Sequence, residues 1–169
     1  STDGSTKYNI SYKLCRYDSD NNLIFVRDLD LCGDDSMYAA NSVILADRIV
    51  YLCAESKGDE KLSYCLKSCG LDGGDEITSA TVDGLFDTYS DYGGFYISYM
   101  CVSSDGSIFL GTDTEVLALS SDFVKKFSVT TYNYITAMSL SNTGEVYIAS
   151  FFENGSGIAK VDEETKALS

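Results

Sequence analysis

The stretch from Tyr96 to Ser150 contains its own near-copy, and that repeat limits what this chain can fold into more than any other feature. Tyr96-Ile97-Ser98-Tyr99-Met100-Cys101-Val102-Ser103-Ser104-Asp105-Gly106-Ser107-Ile108-Phe109-Leu110 is answered, without a gap and 38 residues later, by Tyr134-Ile135-Thr136-Ala137-Met138-Ser139-Leu140-Ser141-Asn142-Thr143-Gly144-Glu145-Val146-Tyr147-Ile148. Tyr, Ile, Met, Ser and Gly recur at matched places, and most other pairs are conservative. A period near 40 residues built of short strands is the signature of a radially repeated β-sheet, in which each repeat supplies one sheet.

The rest of the chain follows the same grammar. Thirteen Tyr and eight Phe, with many Ser, Thr, Val and Ile, favour strands over helices. Residues Ser1 to Lys7 are polar and expected to fray. Tyr8–Tyr17 and Leu23–Leu29 alternate as two strands of a hairpin about Asp18-Ser19-Asp20-Asn21-Asn22. A loop leads to Met37–Leu45, a turn at Ala46-Asp47, and Arg48–Ala54. A polar loop, Glu55 to Glu60, precedes Lys61–Ser68, a turn at Leu71-Asp72-Gly73-Gly74, and Glu76–Val82. After the segment Asp83 to Phe95 come Tyr96–Ser103, Ile108–Gly111, Val116–Ser120 and Val124–Val129. The last unit runs Ile135–Leu140, Val146–Phe151, Ile158–Val161 and Lys166–Leu168.

Four antiparallel strands therefore recur, named a, b, c and d from the centre outwards. The chain opens with only a c–d hairpin. The expected fold is all-β: an incomplete β-propeller of about three and a half blades, one region over 1–169, with blades near 8–29 (partial), 37–82, 96–129 and 134–169. Closed propellers have four to eight blades. The remaining blades or a second copy are then needed to close the ring, since unclosed edges invite pairing. The start at Ser1-Thr2-Asp3-Gly4, with neither Met nor signal peptide, reads as a piece of something longer. Gly106 and Gly144 are expected to supply the positive φ of two-residue a–b turns, with Asp47 in that place in another unit.

Composition excludes several chemistries. The chain has 26 Asp and Glu against 12 Lys and Arg, a net charge of −14, and no His. Such a surface repels phosphate backbones and anionic lipid, so nucleic acid is not an expected partner. No apolar run nears the roughly 20 residues of a membrane-spanning helix, so membrane insertion is not expected either. Without His, Ser-His-Asp and Cys-His sites are impossible within the chain. Cys65-x-x-x-Cys69 has no second paired set to make a zinc site, and the pair would lie roughly 13 Å apart in an extended segment, too far for a disulfide. Cys15, Cys53 and Cys101 read as small buried hydrophobes in apolar strand runs. Asp18-Ser19-Asp20-Asn21-Asn22 begins like a calcium loop but puts Leu23 where Gly belongs and Leu29 where the bidentate Glu belongs, so a solvated turn is the better reading. No cofactor or metal is expected.

The loops divide into two sets. The a–b and c–d turns share one face and are short and polar. The b–c and d–a loops share the other and are longer and aromatic-acidic: 85–92, 112–114, 132–134 and 151–154. Long loops on a rigid scaffold concentrate binding, and Tyr with Asp or Asn suits sugars and peptides. Candidate ligand-binding residues on that face are Phe86, Tyr89, Asp91, Tyr92, Asp113, Tyr132, Tyr134 and Phe152; the competing reading is that these aromatics seal the loops against the blade tops.

Asp105-Gly106-Ser107-Ile108-Phe109-Leu110-Gly111-Thr112, followed by Val116-Leu117-Ala118-Leu119 and Val124-Lys125-Lys126-Phe127, resembles the propeller repeats of bacterial two-component-regulator sensors. It is also similar to propeller regions of Gram-positive surface lipoproteins, some joined to solute-binding domains; Cys15-Arg16-Tyr17-Asp18-Ser19-Asp20-Asn21 and Ala159-Lys160-Val161-Asp162-Glu163 match that group. The sensor repeat usually has Trp where this chain has Phe109 and Tyr147, and the Trp-Asp pair of the WD-repeat family is absent. The resemblance implies a non-catalytic extracellular recognition, sensing or scaffold module of the bacterial envelope, with a carbohydrate, peptide or protein ligand, and carries over no catalytic residue. The alternative is half of a carboxylate-dependent glycosidase or lyase, since so many Asp and Glu offer many pairs.

Overall fold

The computed structural model describes residues 12–29, 37–58, 61–72, 74, 76–87, 96–131, 134–152 and 155–169. Fourteen strands follow one another along the described chain: β1 (Tyr12–Tyr17), β2 (Leu23–Leu29), β3 (Met37–Ile44), β4 (Arg48–Gly58), β5 (Lys61–Gly70), β6 (Glu76–Thr81), β7 (Tyr99–Val102), β8 (Ile108–Gly111), β9 (Glu115–Leu119), β10 (Lys125–Thr130), β11 (Ile135–Leu140), β12 (Val146–Phe152), β13 (Gly155–Asp162) and β14 (Ala167–Leu168). One 3-10 turn, Asp83–Leu85, lies between β6 and β7. β1 and β2 pair as a hairpin, and the other strands form three four-stranded meanders, β3 to β6, β7 to β10 and β11 to β14, antiparallel throughout.

Successive strand residues point to opposite faces, so the near-continuous apolar runs 49–54 and 116–119 make the central strands apolar on both faces, and consecutive sheets stack through those faces. Val50, Leu52 and Leu66 of the first sheet meet Ile108, Leu110, Leu117 and Leu119 of the second. The other face of the second sheet, with Phe109, Val116 and Ala118, meets Ile135, Val146, Ile148 and Val161 of the third. Leu14 and Phe25 of the hairpin cover Ile49, Tyr51 and Cys53 on the outer face of the first sheet. The leading strands β3, β7 and β11 lie side by side, as the innermost strands of neighbouring blades do. This is an all-β, incomplete propeller: three four-stranded blades and a two-stranded partial one.

Several expectations need correction. The stretch 55–60 is not one polar loop: β4 runs to Gly58 and β5 starts at Lys61, because ladder pairing continues past the apolar core. Gly155–Gly157, expected in a loop, begins β13. Cys15 is exposed, since it lies on the hairpin face turned away from the blades, while Cys53 and Cys101 are buried. Cys15, Cys69 and Cys101 are free thiols, and burial pushes the Cys101 thiol up to about 12.

The a–b turns differ from the two-residue form. In Ser103–Ser107 the Gly106 N–H donates to Ser103 O at 3.0 Å and the Ser103 N–H to Ser107 O at 2.9 Å, and only Gly106 has positive φ, +84°. This is a turn followed by a left-handed glycine, repeated at Ser141–Glu145 with Gly144 at +84°. Asp47 does not adopt positive φ. Among the described residues, the left-handed ones outside glycine fall in the c–d turns instead, at Asn21, Phe123 and Lys166.

Candidate functional site

The two sets of loops occupy opposite ends of the strands, and each end builds a different surface. At the longer-loop end, Thr112 Oγ1 accepts the N–H of Thr114 at 3.2 Å and of Glu115 at 2.9 Å, which closes the b–c loop of the second blade. That loop is then tied to the segment entering the third blade. The Thr131 N–H donates to Thr114 O at 2.7 Å, and the Ile135 N–H to Asp113 O at 2.6 Å. The Ser150 hydroxyl holds Tyr134 O at 3.0 Å. Tyr99 lies over Gly111, where a Cβ would come within 3.1 Å of it, and sends its hydroxyl to Ile135 O at 3.3 Å. Backbone bonds from two blades thus fix the loops that carry Asp113 and Tyr134. Both side chains are exposed, Tyr134 at 64%, and Phe151, at 53%, follows the Ser150 that pairs with Ile135.

Of the candidate residues, Asp113 and Tyr134 are therefore brought together on one rim, and Phe152 ends β12 on the strand that reaches it. Tyr89, Asp91, Tyr92 and Tyr132 lie outside the described residues. Phe86 is a correction. It is buried in the core between the first and second blades, because the 3-10 turn before it folds the chain back over the strand ends. Its ring seals a loop rather than facing a ligand.

The residue that sequence reasoning missed on this rim is Glu115. It has no exposed surface, and its carboxylate accepts the Asp87 N–H at 2.8 Å. Asp83, also buried, accepts the Tyr64 N–H at 2.6 Å and the Ser63 hydroxyl at 2.7 Å. Lys125 completes the strap, donating to Leu85 O at 2.6 Å and Asp87 Oδ1 at 2.8 Å. Hydrogen bonds from Lys125 and then Ser128 lower the Asp87 pKa. The Thr112-x-x-Glu115 spacing was the available signal, since a threonine closing a tight loop turns the fourth residue into the sheet.

The short-turn end holds a cleft of about 480 Å³ between the second and third blades, lined in part by Asp105, Thr143, Glu145, Lys160, Asp162 and Glu163. Three of its carboxylates are paired with lysines. Lys126 Nζ lies 3.1 Å from Asp105 Oδ2 and 3.0 Å from Glu163 Oε2, and Lys160 Nζ lies 2.6 Å from Glu145 Oε1. The Ser103 hydroxyl, the Ser107 backbone N–H and hydroxyl, and Lys126 hold the Asp105 carboxyl well below the usual range, against the effect of burial. Hydrogen bonds from Lys160 and Thr143 lower Glu145 as well. Carboxylates held this firmly ionised are poor proton donors near neutral pH. Among the described residues no group of three or more Cys, Asp or Glu is placed to hold a metal ion.

No family model and no curated protein matches the chain. Its fold is similar to a crystal structure of a protein of unknown function from Bacteroides caccae, with a TM-score of 0.56 at 10% identity. The match covers 89% of this chain and 50% of that one, so the chain spans about half the length of that neighbour. At such low identity the likeness concerns the fold alone.

Proposed function

We propose that this chain is a recognition or scaffold module that binds a carbohydrate or peptide at the rim carrying Asp113 and Tyr134, and that it acts outside the cell as part of a solute-binding or sensor lipoprotein. The observation that carries the recognition reading is the pairing of two exposed side chains of binding type with loops locked by backbone hydrogen bonds from two blades. A tyrosine face stacks on a sugar or peptide bond while a carboxylate accepts directed hydrogen bonds, and a pre-ordered rim loses little entropy on binding. The extracellular and lipoprotein parts of the reading rest on the sequence resemblance. The alternative, half of a glycosidase or lyase, needs one carboxylic acid kept protonated beside a second carboxylate. Glu115, Asp83 and Asp105 instead accept backbone N–H groups.

The test is a screen of the 169-residue chain on immobilised oligosaccharides and peptides, with Asp113→Ala/Tyr134→Ala alongside. A signal that the double variant loses supports the reading. No signal on either array counts against it. Turnover of 4-nitrophenyl glycosides, abolished by Glu115→Gln in a folded protein, would establish the enzyme instead.

A further inference from the structure

The internal repeat carries an exposed aromatic from the second blade to the third. Tyr96 and Tyr134 occupy matched places shortly before β7 and β11, and they are 47% and 64% exposed. The isoleucine that follows each is buried, Ile97 at 5% and Ile135 at 4%. In the first blade Tyr38 precedes Ile44 by the interval that separates Tyr96 from Val102 and Tyr134 from Leu140, and Ile44, Val102 and Leu140 end the matched strands. β3 and β11 also share a register shift just past the tyrosine, between Ala39 and Asn41 and between Ile135 and Ala137. A position kept for packing would be buried as the two isoleucines are, yet Tyr96 and Tyr134 stay in water.

Both tyrosines stand at the longer-loop end, and the segments that carry them are bonded to the same loop, the one that holds Asp113. The Ser98 N–H donates to Gly111 O at 2.9 Å and the Ile135 N–H to Asp113 O at 2.6 Å. The Tyr99 hydroxyl joins the two segments, donating to Ile135 O at 3.3 Å. β7 and β11 lie side by side, and matched positions on stacked sheets are separated by about 10 Å. A single sugar ring does not bridge that gap, whereas a chain of them does. The carbonyl groups of this rim are already engaged: Gly111 O, Asp113 O, Thr114 O and Tyr134 O hold the Ser98, Ile135 and Thr131 N–H groups and the Ser150 hydroxyl. An extended peptide that adds itself to a sheet needs such groups free. The net charge of −14 repels an anionic polymer. Flat ring faces and a carboxylate instead suit a neutral glycan, whose C–H faces stack on tyrosine and whose hydroxyls donate to Asp113.

We propose, resting on the reading of this rim as a recognition surface, that Tyr96 and Tyr134 are successive stacking platforms for one neutral linear polysaccharide, with Asp113 accepting hydrogen bonds from its hydroxyl groups. The ligand runs around the rim from one blade to the next. Backbone bonds hold both tyrosine segments to one loop, so occupying the second platform costs little further entropy once the first is filled.

The experiment is calorimetric titration of the 169-residue chain with neutral gluco-, xylo- and manno-oligosaccharides of increasing length, for wild type, Tyr96→Ala, Tyr134→Ala and Tyr96→Phe. Both substituted side chains are about half exposed or more, so each variant should keep the wild-type circular dichroism spectrum. Wild-type affinity should rise with length until one oligomer spans both rings. Each alanine variant should lose that gain, a fall of at least about tenfold on the longest oligomer, and Tyr96→Phe should retain it. A gain with length that survives Tyr96→Ala overturns the two-platform proposal, and a loss confined to Tyr134→Ala then leaves the rim as a site of one ring. Oligosaccharide affinity untouched by both alanine variants overturns the proposal and the reading of the rim together. Binding of arrayed peptides with no affinity for any oligosaccharide also overturns it and makes the rim a peptide site.

Discussion

Glu115 Oε1 accepts the backbone N–H of Asp87 at 2.8 Å, so a carboxylate with no exposed surface anchors the segment that leads from the first blade to the second. Removing it strands a buried donor. Glu115→Ala should cost roughly 2–3 kcal/mol in urea denaturation, as loss of a charge-assisted hydrogen bond does, while Glu115→Gln keeps an acceptor oxygen and should cost less. Equal losses for the two would show that the carboxylate acts through its charge and not as an acceptor.

Two glycines with the same φ of +84° occupy matched turns, yet their surroundings differ. A Cβ on Gly106 meets nothing within 4 Å, whereas one on Gly144 lands 2.5 Å from Ser104 Cβ and 2.9 Å from Ser104 N. Gly106→Ala should cost only the left-handed backbone, about 1–2 kcal/mol. Gly144→Ala must also push the second blade's turn away and should cost clearly more. Thermal unfolding of the two variants side by side measures the difference.

Phe123 carries a buried ring on a left-handed backbone, φ +65°. Burial of the ring offsets a conformation that bulky residues avoid. Phe123→Ala should lose roughly 3–5 kcal/mol from the cavity and the retained strain. Phe123→Gly relieves the strain by about 1 kcal/mol and should be the milder change, which reverses the usual order of Ala and Gly. Denaturation midpoints of both variants decide it.

The Asp105–Lys126–Glu163 network sets a pH window. The Asp105 pKa is lowered by the Ser103 hydroxyl, the Ser107 groups and Lys126, so its contribution is full above the unfolded carboxylate value, about 3.9, and is lost as pH falls through the folded value. Burial opposes the Lys126 shift, but hydrogen bonds to Glu163 and Asp105 raise its pKa overall, so its contribution is full below about 10.5 and is lost as pH rises past the folded value. Asp105→Asn should therefore be least stable relative to wild type between about pH 4 and pH 10, and the gap should close on acidification below that range. Stability curves at pH 2.5, 4 and 7 test the acid limb.

Strands and blades were legible because their signals are local. Ile108–Gly111 and Ile135–Leu140 fall where alternation and the Asp105-Gly106 and Thr143-Gly144 turns put them. The rim was legible only in part. Asp113 and Tyr134 sit on short loops whose hydrogen bonds join neighbouring strands, so chain order alone places them together. Phe86 was not legible, since a 3-10 turn carries it into the core, and the Thr112-x-x-Glu115 spacing signals only that Glu115 turns inward, not that it meets an N–H from 28 positions away. Such tertiary partners leave no periodic trace in sequence. Cys15 misled for a related reason: its strand is apolar, but the face it occupies is the uncovered one.

The central claim is that recognition takes place at the Asp113–Tyr134 rim and not at the paired-charge cleft on the opposite end. Calorimetric titration of the strongest oligosaccharide or peptide from the array screen tests it, using wild type, Tyr134→Ala and Lys126→Met. Affinity should fall at least about tenfold in Tyr134→Ala, as loss of a stacked aromatic implies, and stay at the wild-type value in Lys126→Met. An affinity that survives Tyr134→Ala and falls in Lys126→Met would contradict the account and move recognition to the cleft.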